Sequence, residues 1–271
     1  MDTGAGNSAT LTPQESVWAL GDYARMAEEV MAPLGPVLID AVGMGPGDRV
    51  LDVAAGSGNI SIPAAETGAA VVSSDLTPEL LQRSQKRAAK HGVALEWRQA
   101  DAEQLPFADN EFDAVISAIG VMFAPHHQRA ADELVRVCRP RGTIGVISWT
   151  PDGFFGRMLA AIRPYRPTVA PGTPPAALWG RGSYALGLLG SGVSETQIQR
   201  RTLPVDRFGS PEACHQYFRQ NYGPTIDAYR NIGDNAVLAR ALDNELVSLA
   251  GQYWVDGLME WGYLLVTARK R

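Results

Sequence analysis

The sequence predicts an α/β fold built on a mostly parallel sheet with helices on both faces, and three observations carry that prediction. Short β-branched and apolar runs alternate with segments of helical periodicity from about residue 50 to residue 149, as in a parallel sheet covered on both sides. The first run, Arg49-Val50-Leu51-Asp52-Val53, passes straight into the small-residue loop Ala54-Ala55-Gly56-Ser57-Gly58-Asn59. The next run ends at Asp75 and the one after it at Asp101, so two carboxylates stand on the same sheet edge as the glycine loop.

In order along the chain, residues 1–11 read as a disordered tail. Thr12-Pro13-Gln14-Glu15 is a capping box with proline at the first helical position, predicting a helix to about Leu34. A short helix over 36–42 follows, and Gly43 to Gly47 form the loop into strand one. Strands are predicted over 50–54, 69–74, 94–98, 114–118 and 143–149. One intervening helix opens at Thr77-Pro78-Glu79, with Thr77 free to cap it; another carries the stripe Ala130, Ala131, Leu134, Val135, Cys138.

After Trp149 the character changes. Phe154, Phe155, Met158, Leu159 and Ile162 make an apolar helix. Pro164, Pro167, Pro171, Pro174 and Pro175 then forbid helix and predict a long exposed loop, so 151–182 is expected to be a mobile cover. Residues 196–208 read as a sixth strand, with Pro204 marking an edge or bulge. Ser210-Pro211-Glu212 starts a second helical insertion bearing Leu238, Leu242, Leu246 and Leu249, and 261–268 form the last strand.

Glycines at such a loop let the backbone approach a ligand closely, and the helix after it offers unpaired N–H groups. With its flanking motifs the loop resembles the class I S-adenosylmethionine-dependent methyltransferases over roughly residues 17–149. The matching residues are Asp52, Ala54, Gly56 and Gly58; Asp75; Asp101-Ala102; the strand Phe112 to Ser117; and Arg139-Pro140-Arg141-Gly142 before strand five. The nearest branch resembles the quinone-biosynthesis C-methyltransferases and allied small-molecule enzymes. Ala54 and Arg141 depart from it, each standing where glycine is common.

The resemblance implies a Rossmann-like sheet of seven strands, the last antiparallel, with helical lid insertions, in one domain over 1–271. Within it, 12–43 are N-terminal helices, 44–149 the cofactor-binding core, and 150–193 and 209–256 insertions forming the acceptor site. It implies S-adenosyl-L-methionine as cofactor. Gly56 and Gly58 would make room for its methionine part, the Ser117–Ala118 backbone would meet the amino group, and Tyr23 would meet the carboxylate. Asp75 suits the vicinal ribose hydroxyls, Leu76 an adenine face, and Asp101 with the Ala102 N–H the adenine edge. Asp75 could instead cap the following helix, Asp101 could be a solvated loop carboxylate, and Tyr23 could be ordinary core.

For the acceptor, Met122, Phe123, Trp149, Phe154, Phe155 and Tyr222 are candidate pocket walls, although core packing also explains several of them. His126 or His127, after strand four, is the candidate general base; a solvated helix start is the alternative. His215 reads as structural.

A chain of 271 residues, 45% apolar and 20% charged, has the composition of a soluble globular protein. Its net charge of −5 argues against nucleic acid as partner and favours a small-molecule acceptor. Two cysteines are too few for a disulfide framework or zinc site, so no metal is expected. No apolar stretch approaches the ~20 residues of a membrane span, and no signal peptide is evident, so no membrane partner and a cytoplasmic location are expected. A homodimer is possible.

Two rivals remain. A nicotinamide oxidoreductase shares the GxG loop and strand-two acid, but Ser61 replaces the third glycine. A methyltransferase fold could also serve another reaction or a scaffold.

Overall fold

The computed structural model describes residues 17–166 and 170–271; the Thr12 capping box, the tail and Pro167 lie outside the described residues. One sheet is built from β1 (Arg49–Val53), β2 (Ala70–Asp75), β3 (Glu96–Gln99), β4 (Phe112–Ala118), β5 (Cys138–Trp149), β6 (Val193–Val205) and β8 (Leu258–Lys270). A short β7 (Trp254–Val255) forms a hairpin with the start of β8. The order is β3-β2-β1-β4-β5-β8-β6. Pairing is parallel from β3 to β5, and β8 runs antiparallel to both β5 and β6. This is the expected Rossmann-like sheet with its last strand reversed. Pro204 lies in β6 at the sheet's edge, where a missing N–H costs least.

The strand order reverses at β1, which lies between β2 and β4. At such a switch point the connections diverge to opposite faces and leave a crevice beyond the strands' carboxyl ends. Asp52, Asp75 and the Gly56–Gly58 loop all sit there.

Ten helices are described: α1 (Tyr23–Glu29), α2 (Leu34–Val42), α3 (Ser61–Glu66), α4 (Pro78–His91), α5 (His127–Val137), α6 (Phe154–Ile162), α7 (Gly182–Leu189), α8 (Pro211–Asn221), α9 (Gly223–Ile232) and α10 (Ala236–Tyr253). The helix expected to run unbroken to Leu34 is interrupted. Gly21 is left-handed at φ 69°, and a Cβ there would come within 2.6 Å of the Asn221 carbonyl oxygen. Asp22 donates its N–H to that carbonyl, then caps α1 by accepting from the Arg25 N–H. Docking against α8 thus overrides helical continuity. Cys138 is a buried thiol, as expected, but it opens β5 rather than closing α5.

Both ends of segment 151–182, expected to be a mobile cover, are packed into the core. Phe154, Phe155, Met158 and Ile162 of α6 are buried core. The single turn Ala176–Gly180 is wedged in by buried Trp179, and a Cβ at Gly180 would lie 2.1 Å from the Trp149 carbonyl oxygen. Apolar anchors thus hold each end of the segment. No described helix is long and apolar enough to cross a membrane.

Candidate functional site

The loop after β1 takes its shape from backbone conformations that glycine favours. Gly56 and Gly58 have φ 57° and 84°, and a Cβ on Gly58 would meet the Ser84 hydroxyl at 2.5 Å. Ala54 is also left-handed, at φ 55°, and so is Ile119 after β4, at φ 56°. A β-branched residue in that region is an outlier, and strain of this kind gathers at functional sites. The Ala54 side chain does not block the crevice. It forces the facing residue to be small, since a Cβ on Gly120 would lie 2.6 Å from the Ala54 carbonyl oxygen. From α4, Arg87 donates to the Ser57 carbonyl at 2.8 Å and holds the loop's far side.

Asp75, at the tip of β2, accepts from the Gly56 N–H and the Thr77 N–H, each at 2.8 Å. The Thr77 hydroxyl, expected to cap α4, has no hydrogen-bond partner; the Asp75 carboxylate orders the helix start instead. Each Asp75 oxygen keeps a lone pair for a further donor. Burial raises its pKa above the usual carboxylate range. Asp52 is more isolated. Its Oδ2 accepts from the Ser61 hydroxyl at 2.6 Å, while Oδ1 is buried without a partner. Burial, aided by the charge of Asp75 and opposed by Ser61, pushes the Asp52 carboxyl up to about 7.

These carboxylates line two connected parts of one cleft. The outer part has Asp75, Leu76, Asp101, Ala102, Ile119 and Gly120 in its walls; the inner part has Asp52, Ser57, Ala118 and Ile119; Tyr23, Ala54 and Gly56 border both. Burial and the nearby Asp75 raise the Tyr23 phenol pKa, so its hydroxyl stays protonated and able to donate. Asp101 is exposed, borders the outer part of the cleft and accepts from the Glu103 N–H at 2.9 Å. Ser117 acts through structure: its hydroxyl donates to the Val53 carbonyl and accepts from the Val121 N–H, pinning β4 to β1. Every cofactor residue expected from the sequence except Gly58 and Ser117 borders the cleft.

The cleft suits S-adenosylmethionine on its own chemistry. Asp52 Oδ1 is an orphaned anionic acceptor matched to an ammonium, Asp75 can receive two ribose hydroxyls, and Leu76 with Ile119 gives apolar faces. An uncompensated buried carboxylate oxygen is costly unless a ligand completes it.

A second cavity of about 300 Å³ shares Trp18, Phe123 and Ala124 with the cleft and also has Met122 in its wall. The remaining acceptor candidates are elsewhere. Trp149 stacks on Phe155 at 4.7 Å, Phe154 on Trp261 at 5.2 Å, and Tyr222 meets Phe155 edge-on, all inside a buried aromatic core that borders neither space. Helix α6 packs Phe154 and Phe155 against Trp261 of β8 and so covers that end of the sheet.

Neither histidine faces a cavity. His126 is exposed and paired to Glu103 at 2.7 Å. His127 is buried, its Nε2 donating to the Met122 carbonyl and its Nδ1 accepting from the Tyr184 hydroxyl, both at 3.0 Å. A carbonyl cannot donate, so Nε2 carries a proton; burial lowers the pKa and favours the neutral ring, in which Nδ1 accepts from Tyr184. With both nitrogens engaged His127 holds structure, as His215 does on Asp243.

The site residues that sequence reasoning missed are Trp18, Ser61, Arg87, Ile119, Gly120, Arg163 and Arg166. Gly120 had a local signal, a glycine directly beyond strand four. The two arginines come from beyond the core and had none.

Comparison with known proteins agrees with this geometry. Residues 51–146 match the family described as Methyltransferase domain. An uncharacterized protein of Mycobacterium tuberculosis strain H37Rv is 67% identical over 272 residues, covering 100% of this chain and 99% of its own length. The demethylmenaquinone methyltransferase of Renibacterium salmoninarum is 38% identical over 118 residues, 44% of this chain and 48% of the relative. The crystal structure of the YcgJ protein from Bacillus subtilis shares the fold at 17% identity, with a TM-score of 0.60 over 87% of this chain and 97% of that one.

Proposed function

The chain belongs to the class I S-adenosylmethionine-dependent methyltransferases, and from that premise we propose that it methylates a small, largely apolar or aromatic metabolite. One observation carries this reading: the 300 Å³ cavity shares the wall of Trp18, Phe123 and Ala124 with the carboxylate-lined cleft. A methyl group presented at that wall would face a largely apolar space. Such volumes and linings are typical of small-molecule sites.

S-adenosylmethionine supplies a methyl on a sulfonium, and S-adenosylhomocysteine is the by-product. The chain's task is to hold, align and dry the reactants. Asp75 would orient the ribose while its own geometry is set by the Gly56 and Thr77 N–H groups. Asp52 would receive the amino group, directly or through water. Trp18, held edge-on against Phe123 at 4.7 Å and Tyr23 at 5.5 Å, stands in the wall shared by the two spaces. No histidine is placed as a base, so the accepting atom would lose its proton to solvent or arrive ionised.

Calorimetry with S-adenosylhomocysteine, NADH and NADPH tests the premise of cofactor use, and methyl-labelled cofactor incubated with a small-molecule cell extract tests the acceptor class. Heat from NADH and none from S-adenosylhomocysteine ends the reading. Label transferred to nucleic acid or protein instead of small molecules overturns the acceptor class.

A further inference from the structure

The acceptor cavity is apolar on most sides, yet two guanidinium groups, Arg163 and Arg166, stand in its wall, and no acidic side chain among the described residues lines it. The two differ in how they are compensated. Arg166 is largely buried and its Nε pairs with Asp227 Oδ2 at 3.3 Å. Arg163, half-buried at the end of α6, donates from one terminal nitrogen to the Thr173 carbonyl and has no carboxylate partner among the described residues. A guanidinium presents five N–H donors in a planar fork, so most of its hydrogen-bonding capacity is unspent.

An unpaired cation beside an apolar cavity is unfavourable unless a ligand completes it. Among the described residues, the formal charge at the wall, counting Asp227 against Arg166, is one positive unit. That matches a monoanion better than a phosphate, which carries close to two charges. The fork geometry of arginine suits a carboxylate, met by two parallel N–H donors.

Resting on the methyltransferase reading above, we propose that the acceptor is a carboxylic acid with an apolar, aromatic-sized body, bound as its carboxylate by Arg163. The body would fill the space between Leu159, Met122 and Phe123, and the methyl-accepting atom would lie at the opposite end from the carboxylate, beside Trp18. Arg163 then sets which end of the substrate faces the cofactor. The carboxylate, held by the guanidinium, is not itself the methylated group.

The test uses the full chain saturated with S-adenosylhomocysteine, titrated calorimetrically with a panel of hydroxybenzoates and hydroxynaphthoates and with the methyl ester of each. At least one acid should bind about ten- to a hundredfold more tightly than its ester, the range for a hydrogen-bonded charge. Arg163→Met should abolish that preference and Arg163→Lys should keep part of it, while S-adenosylhomocysteine affinity stays at the parent value and certifies each variant's fold. Esters binding as well as acids, a preference that survives Arg163→Met, or no saturable binding by any acid would each overturn the proposal. Failure of S-adenosylhomocysteine to bind the parent protein is the separate result that removes the methyltransferase reading itself.

Discussion

Asp75 Oδ2 accepts the Gly56 N–H at 2.8 Å, so the carboxylate expected to hold the ribose also holds the loop that would receive the rest of the cofactor. The two readings open at this position, ribose ligand and helix cap, are compatible: Oδ1 takes the Thr77 N–H and each oxygen has a second lone pair.

Asp75→Ala should therefore weaken S-adenosylhomocysteine binding by ~1.5–3 kcal/mol or more, because a charged acceptor and the loop's anchor are lost together. Calorimetry of the variant checks this. An affinity equal to the parent's would remove Asp75 from the site.

Asp52 makes a pH-dependent contribution whose sign is opposite to that of a salt-bridged acid. Its carboxyl is pushed up to about 7, so between the ordinary carboxylate value and about 7 the folded protein holds a proton that the unfolded chain has released. Stability in the cofactor-free state should fall as pH rises through that window. Asp52→Asn should remove this slope and raise Tm above about pH 7. A cationic ammonium beside Asp52 favours the charged form, so cofactor binding near neutrality should release protons, measurable by calorimetry in buffers of different ionisation enthalpy. A parent-like slope in the variant would refute the assignment.

His127→Ala should cost about 1–3 kcal/mol of stability, since the Met122 carbonyl and Tyr184 hydroxyl both lose their partner. S-adenosylhomocysteine affinity should not change. The parent's His127 is held neutral, with a lowered pKa, so its contribution is present above about pH 6.5 and is lost as pH falls through the folded value. Thermal unfolding of both proteins across that range checks it. A reduced cofactor affinity with unaltered Tm would show that the residue serves the site instead.

Ala54→Gly tests the strain in the loop. Releasing a non-glycine residue from φ 55° gains about 1–2 kcal/mol, and added freedom in the unfolded chain returns about 0.4–1 of it. The variant should be slightly more stable. A clear loss of stability in denaturant unfolding would mean that the Ala54 methyl packs more than it strains.

The fold class was legible in the sequence because its signals are local. Alternating strand and helix periods, the Gly56–Gly58 loop and strand-terminal Asp75 each occupy a few adjacent residues, and parallel-sheet topology then brings them to one edge. The residues that border the carboxylate-lined cleft were legible for the same reason. The acceptor side was not. Whether Phe155 faces a cavity or Trp149, and whether His127 has a free nitrogen or two partners, depends on contacts with Trp261, Tyr222 and Tyr184, which are distant in sequence. The helix break at Gly21 likewise answers to Asn221, two hundred positions away. Local chemistry determined the sheet and the cleft; long-range packing alone decided which apolar residues became core, which became wall, and that Arg163 and Arg166 would stand in the wall of the second cavity.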